Sequence, residues 1–465
     1  MKKYSLLFYI FVFGSILPRK LIGNDIAICT SSFSQTYPYV VSNKENYLIV
    51  WQDKVNYSTT GLDIWGRIVL ENGTKNDSFP VCNSSQNQFL PRAAYDGNNY
   101  LVIWINDGGG VYGQFIDKNG TIIDTNFLIV NGPISQASLW SNGKNYLIVW
   151  VNDSISSNAN ICGSIVSKIG TTVVSSFFIS NAPDTQLYPE VTSIDSNYLV
   201  AWSDKRNGNW DIFGQRIAYD GTFLGNNFPI SQKSVSEQRA KLASNDAISM
   251  IVWEEDYGLF IGWDIHASII DNDMNYLYKD SVICDAPWDQ RAPSVCWSGK
   301  DGKFIVGWND YRVPIINKAN IYIAKVSPSD NPSETQITNN NNFEKRETSI
   351  ASSTNCFLIV WEDWRQGTSN EDIYGYIPQF MFTEESILSK TNYVEIVPNP
   401  FLEYVVFKGM GNRIKILDKS GKVVKIINHS KVWYGDDNNG EKLPSGTYFI
   451  QLSDKPLLFS KIIKL

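Results

Sequence analysis

The side chains best suited to chemistry in this 465-residue chain recur at a fixed interval. Seven times an apolar run ends in Trp, at positions 51, 104, 150, 202, 253, 308 and 361. Each Trp is followed by a polar turn, and the turns carry Asp53, Asn106, Asp107, Asn152, Asp153, Asp204, Glu255, Asp256, Asp310 and Asp363. Arg206, Arg312 and Arg365 follow their Asp by two residues. If the turns share a face, they form a ring of carboxylates able to hold a cation or a polar ligand. Such a ring could also supply the two carboxylates, about 5–10 Å apart, that glycoside hydrolysis uses. The same residues have a structural use: a turn Asp caps backbone N–H groups and pairs with a nearby Arg. A feature present in nearly every repeat serves the repeat first. Ca²⁺ is the one cofactor these turns suggest. It takes about six to eight oxygen ligands; the turn 204–211 could supply a few, but Arg206 in its middle opposes a cation there.

Residues that break the repeat are the better ligand candidates. Trp210, Tyr257, Tyr311 and Trp364 fall in loops between second and third strands, and Trp288 falls in a loop between repeats. Aromatics on polar loops stack on sugars or seat a protein partner, or else cover the strands beneath them. With Arg206, Arg312 and Arg365 they make up the expected ligand-binding set. Catalysis finds little material. The two histidines are His266, on a third strand where other repeats have Trp, Phe or Tyr, and His429, in the tail. His266 is expected to pack between strands. No Ser/His/Asp or Cys/His set assembles, and no glycine-rich phosphate loop opens a helix. The six cysteines (29, 82, 162, 284, 296 and 356) form no Cys-x-x-Cys, and Cys29, Cys82 and Cys284, at or near fourth-strand ends, fall in different repeats, so most read as small buried free thiols rather than zinc ligands or disulfides.

The positioning elements follow from the spacing. The Trp residues lie about 52 residues apart, which marks a repeat architecture. Each repeat has four parts: a start in Gln or Lys, often with Pro three residues on (Gln35, Gln88, Gln136, Gln186, Gln238, Gln290, Lys345); the Trp phrase; an Asp-Ile-aromatic-Gly segment such as Asp211-Ile212-Phe213-Gly214; and a short apolar segment such as Phe228-Pro229-Ile230-Ser231. All are β-branched or aromatic and separated by Asn, Gly, Asp and Ser, which predicts four strands per repeat. Four-stranded units repeated radially make a β-propeller. The fold class expected is all-β, a seven-bladed propeller over 24–377. The seventh repeat has no fourth strand of its own, and residues 25–29 are expected to supply it and close the ring. The connections between repeats and the acidic turns then share a face.

Charge and composition narrow the function classes. The net charge is −7, and it falls to −11 without residues 1–23, which carry Lys2, Lys3, Arg19, Lys20 and no acid. That opposes nucleic-acid binding, which needs a basic surface. A basic start followed by an apolar run over 4–17 reads as a signal peptide (1–23), too short to span a membrane. No other stretch reads as transmembrane. Residues 378–392 break the period as a linker, and 393–465 read as a small C-terminal β-sandwich.

In that tail, Pro398-Asn399-Pro400-Phe401, the hairpin from Asp418 through Gly421-Lys422-Val423-Val424, the stretch from Trp433 to Leu443-Pro444-Ser445-Gly446-Thr447-Tyr448, and the terminal Lys461-Ile462-Ile463-Lys464 together resemble the C-terminal sorting domains of bacterial type IX secretion cargo. They also resemble the immunoglobulin-like domain of flagellar hook-capping proteins, with Tyr434 where that type has Asp. The resemblance implies export to the cell surface or medium through secretion machinery, and no catalysis. The expectation is a secreted or surface-displayed propeller that binds an extracellular protein or glycan. The alternative is a carboxylate-dependent polysaccharide hydrolase or lyase working on the loop face.

Overall fold

The computed structural model describes residues 25–378 apart from 155–157, 259–261, 313–317, 339–342 and 368–369. Further on it describes 395–397, 405–408, 413–419, 422–428, 432–452 and 455–464. The expected signal peptide, nearly all of the linker, Pro398 to Phe401 and His429 lie outside the described residues. The chain divides into two compact units, 1–379 and 380–465.

In the first unit the Trp phrase is the second strand of each four-stranded antiparallel sheet: Asn46–Asp53, Asn99–Asn106, Asn145–Asn152, Asn197–Asp204, Ile248–Asp256, Lys303–Asp310 and Phe357–Asp363. These strands are buried on both faces, which is why they read as continuous apolar runs rather than alternating ones. Six sheets take four consecutive strands. The seventh takes its fourth strand from the other end of the unit: Ile26–Cys29 pairs antiparallel with Asp372–Tyr376, Ile26 opposite Gly375 and Ala27 opposite Tyr374. Each first strand lies against the first strand of the next sheet, and Lys345–Ser352 lies against Gln35–Ser42. This circuit is that of a β-propeller. No helix among the described residues is long and apolar enough to cross a membrane.

Two repeated devices hold the circuit. The first acts within a sheet. The Trp indole N–H donates to the side chain two residues on: Trp51 to Asp53 (2.8 Å), Trp104 to Asn106 (2.9 Å), Trp202 to Asp204 (2.7 Å), Trp308 to Asp310 (2.8 Å) and Trp361 to Asp363 (3.0 Å). The second links neighbouring sheets through the residue between that Trp and its acceptor. Gln52 accepts the Leu90 N–H of the second sheet, Ser203 the Arg239 N–H of the fifth, Glu254 the Ala292 N–H of the sixth, and Glu362 the Tyr37 N–H of the first. In each of these cases the donor has a left-handed backbone, with φ between 51° and 57°, in a bulge of its first strand. A non-glycine residue there costs about 1–2 kcal/mol, and the hydrogen bond to the neighbouring sheet offsets it.

The glycine of the Asp-Ile-aromatic-Gly segment is there for space. A Cβ on Gly214 would lie 2.9 Å from both the Ile230 and Phe228 side chains, so the fourth strand packs directly on its backbone.

The register corrects two sequence assignments. Gln35, Gln88, Gln186, Gln290 and Lys345 face the turn residue after Trp, as their shared place in the repeat implies. In the third sheet that place belongs to Ile134, not Gln136. In the fifth it belongs to Glu237, opposite Glu255, not Gln238. Ile134 and Glu237 both lie 16 residues before their Trp, as Gln35, Gln88, Gln186 and Lys345 do; the Gln nearby drew the assignment away because the place itself holds Ile and Glu in these two sheets.

The second unit contains a three-stranded sheet, ordered Glu395–Val397, Val405–Lys408, Val432–Trp433. It also contains a four-stranded sheet, ordered Val423–Asn428, Arg413–Leu417, Gly446–Leu452, Lys455–Lys464. Trp433 is buried edge-on against Tyr448, ring centroids 5.3 Å apart.

Candidate functional sites

The turn face forms as the topology requires. The N–H of Lys54, Asp107, Asp153, Lys205, Tyr311 and Trp364, each just after the turn's acceptor, bonds a carbonyl in the connection leading into the same sheet. The acidic residues at this face are largely engaged. Asp204, Asp310 and Asp363 are each gripped at both oxygens by Arg206, Arg312 and Arg365 at 2.5–2.8 Å. Each guanidinium also covers the aromatic of the next strand, at 4.1 Å from Phe213, 4.1 Å from Tyr322 and 3.6 Å from Tyr374. Arg365 further pairs with Asp25 at 2.7 Å, tying in the closing strand. Trp210, Tyr257, Tyr311 and Trp364 come from the turns of the fourth to seventh sheets, and Trp288 from the connection into the sixth. Trp288 is half exposed. Tyr311 donates to Glu344 at 2.6 Å, Arg346 lies 4.6 Å over Trp364, and Lys205 lies 5.9 Å over Trp210.

The structure gathers a set that the sequence did not flag. A cavity of about 320 Å³ on the axis is lined from all seven first strands. Arg92, Glu190, Arg239, Lys241 and Glu347 face it, with Tyr37, Tyr39 and Tyr188. Arg92 lies 5.2 Å over the Tyr39 ring and Arg239 5.2 Å over the Tyr188 ring. Glu190 accepts from Lys241 and from the Ser138 hydroxyl (2.7 Å). Burial pushes its carboxyl up, but the Lys241 and Arg92 charges and these hydrogen bonds outweigh it and hold the group below the usual range. The Arg92 Nε is buried and has no acceptor. A wider hollow of about 730 Å³ opens beside this cavity at Tyr37, Leu90 and Ser135, floored by Asn106, Asp107 and Asp153. A signal did exist. Four first strands repeat Gln with Pro three residues on, while the residues at the bulge and just beyond it vary from sheet to sheet.

The fifth sheet departs from the others. Where three sheets have Asp, Arg and an aromatic, it has Glu255, Tyr257 and His266. His266 pairs across strands with Trp253, as Phe213 does with Trp202, and stacks on it at 6.4 Å. Its packing role is as expected, but its surroundings are not apolar. The Tyr257 hydroxyl donates to Glu255 at 2.7 Å, and Lys233 reaches both Glu255 (2.9 Å) and Asp280 (2.7 Å). Trp253, whose acceptor has been drawn away, leaves its indole N–H without a partner. Glu237 stands where other sheets have a buried Gln that donates to loop carbonyls. Burial pushes its carboxyl up to about 8, and its Oε1 accepts from the Ser231 hydroxyl. All six cysteines are free, and all but Cys29 are fully buried.

No family model matches the chain, and no curated protein matches it. Among solved structures, the GH93 α-L-arabinofuranosidase of Fusarium graminearum, complexed with arabinobiose, is 12% identical, with TM-score 0.44 over 62% of this chain and 92% of that one. The β-propeller domain of the Trilobed protease from Pyrococcus furiosus is 11% identical, with TM-score 0.46 over 74% and 95%. A subtype N10 neuraminidase-like protein of A/little yellow-shouldered bat/Guatemala/060/2010 is 10% identical, with TM-score 0.42 over 62% and 94%. At these scores the likeness carries no functional inference.

Proposed function

We propose that the chain is a seven-bladed propeller displayed outside the cell, and that its axial cavity binds a glycan bearing a carboxylate. The observation that carries the reading is the pair Arg92 and Arg239 in a concave site walled by three tyrosines. Of the two acidic side chains in the wall, Glu190 is already held by Lys241 and Ser138. The guanidinium forks can hold a carboxylate in bidentate geometry, and tyrosine faces suit sugar rings. A cavity of this size falls at the small end of ligand sites, of order 300–1,000 Å³, and takes one or two sugar units. Binding is favoured over hydrolysis because Glu190, engaged by Lys241 and the Ser138 hydroxyl, is not free to serve as the acid a glycosidase uses. The tail, as a β-sandwich sorting domain, would deliver the propeller to the surface. Its motif and the basic, apolar start of the chain support this reading.

A glycan array and a polysaccharide digestion panel, run on the secreted chain, test the proposal. Uronate-containing glycans should bind without turnover, and Arg239→Gln should abolish the signal. Release of sugar that is lost on a single Asp or Glu substitution would make the protein an enzyme instead.

A further inference from the structure

The fifth-sheet cluster lies outside the axial cavity, and its geometry is that of a ligand shell. His266 is 2% exposed, and its Nδ1 makes no hydrogen bond of proper geometry. That nitrogen points between two carboxylates, 3.3 Å from Glu255 Oε2 and 3.7 Å from Asp280 Oδ1. A tetrahedral ion with bonds of about 2.1 Å sets its ligands about 3.4 Å apart. We propose that His266 Nδ1, Glu255 and Asp280 form a binding site for one divalent ion of the zinc class, which enters by displacing the Lys233 ammonium.

Three local features put these ligands together. Glu255 and His266 share one face of neighbouring strands, because Trp253 and His266 are directly opposite. Asp280 sits in a bulge of the fourth strand, at φ 43°, with its N–H held by the Ser268 hydroxyl at 2.9 Å. The bulge puts two residues, Lys279 and Asp280, opposite Ser268. Lys233, in the connection from the fourth sheet, bridges both carboxylates and marks the place of a cation.

The donor set selects the metal. One imidazole nitrogen and two carboxylate oxygens suit zinc and its neighbours. Ca²⁺ is excluded by the oxygen count, since it takes about six to eight oxygens. Three protein ligands leave a fourth position, and the side of the cluster formed by Asp280 and Lys233 is the one open to solvent, their side chains being 23% and 28% exposed. The outer shell is built as well. Tyr257 donates to the other oxygen of Glu255, Oε1, which Lys233 also reaches, and lies 3.4 Å from His266 Nε2, where it can orient the ring.

The test uses the full secreted chain under reducing conditions, with zinc titrated by calorimetry and cobalt(II) as a coloured probe. One equivalent should bind, with the cobalt absorption of a low-coordinate N/O site. His266→Asn should lose it, Asp280→Asn should weaken it, and Lys233→Met should tighten it by removing the competing ammonium. Tyr257→Phe should weaken it by about tenfold. Zinc retained by a folded His266→Asn variant would be bound elsewhere and overturns the proposal. So does the absence of stoichiometric binding in the wild type, or a Lys233→Met variant that binds no tighter. Should His266→Asn fail to fold, the Asp280→Asn and Lys233→Met pair decides, with opposite shifts expected and equal ones refuting.

Discussion

Glu362 closes the circuit of sheets, and its chemistry is measurable. It is 5% exposed and its Oε1 accepts the Tyr37 N–H at 2.7 Å. Burial, with Glu347 and Glu371 adding to it, raises its carboxyl from an ordinary 4.5 to about 7, against the opposing Tyr37 hydrogen bond and Arg346 charge. In the unfolded chain the same group ionises near 4.5. Between those two values the folded state therefore holds a proton that the unfolded state has lost. Stability must fall as pH rises through that window and level off above it. At about 1.4 kcal/mol per unit the full loss is about 3 kcal/mol. Glu362→Gln keeps the acceptor and removes the titration. Gln52 already does the same work toward Leu90 in the first sheet, at 2.7 Å, so the place accommodates the amide. Chemical denaturation of both proteins at pH 4 and pH 8 should give equal stability at pH 4 and a more stable variant at pH 8, by up to about 3 kcal/mol. A difference that does not change with pH, or a variant weaker at pH 8, would refute the linkage.

Three further outcomes are expected. Asp310→Ala strips the acceptor from Trp308 and leaves Arg312 paired with Glu334 alone, so denaturation should show a loss of about 1–3 kcal/mol. Gly214→Val should destabilise the fourth sheet, because the added atoms meet Ile230 and Phe228 where even a Cβ would be 2.9 Å away; a thermal melt as stable as wild type would contradict the close approach. Ellman's reagent at pH 8 should label the native thiols far more slowly than the unfolded ones, since burial pushes Cys29 and Cys162 up to about 11 and five of the six are enclosed.

Most of the fold was legible because the repeat states it seven times. The Trp phrase, the Asp-Ile-aromatic-Gly segment and the missing fourth strand each have one physical cause: a strand buried on both faces, a backbone packed against side chains, and an edge that must be paired. The first strands were harder. Their starts vary in residue type, and Gln136 and Gln238 were set at the places that Ile134 and Glu237 hold. The axial site was not legible, because Arg92, Glu190, Arg239 and Glu347 lie far apart in sequence and meet only when the ring closes. The fifth-sheet cluster was visible in part: His266 and Tyr257 both break the pattern, but Lys233 and Asp280 come from loop and bulge positions that no periodicity marks.

The most direct test of the account is a crystal of the secreted chain soaked with an oligouronate. The account predicts density on the axis, the carboxylate against Arg92 and Arg239 and the sugar ring among Tyr37, Tyr39 and Tyr188, and no density after Arg239→Gln. Sugar seated instead in the hollow beside Asp107 and Asp153, with the axis empty, would contradict it.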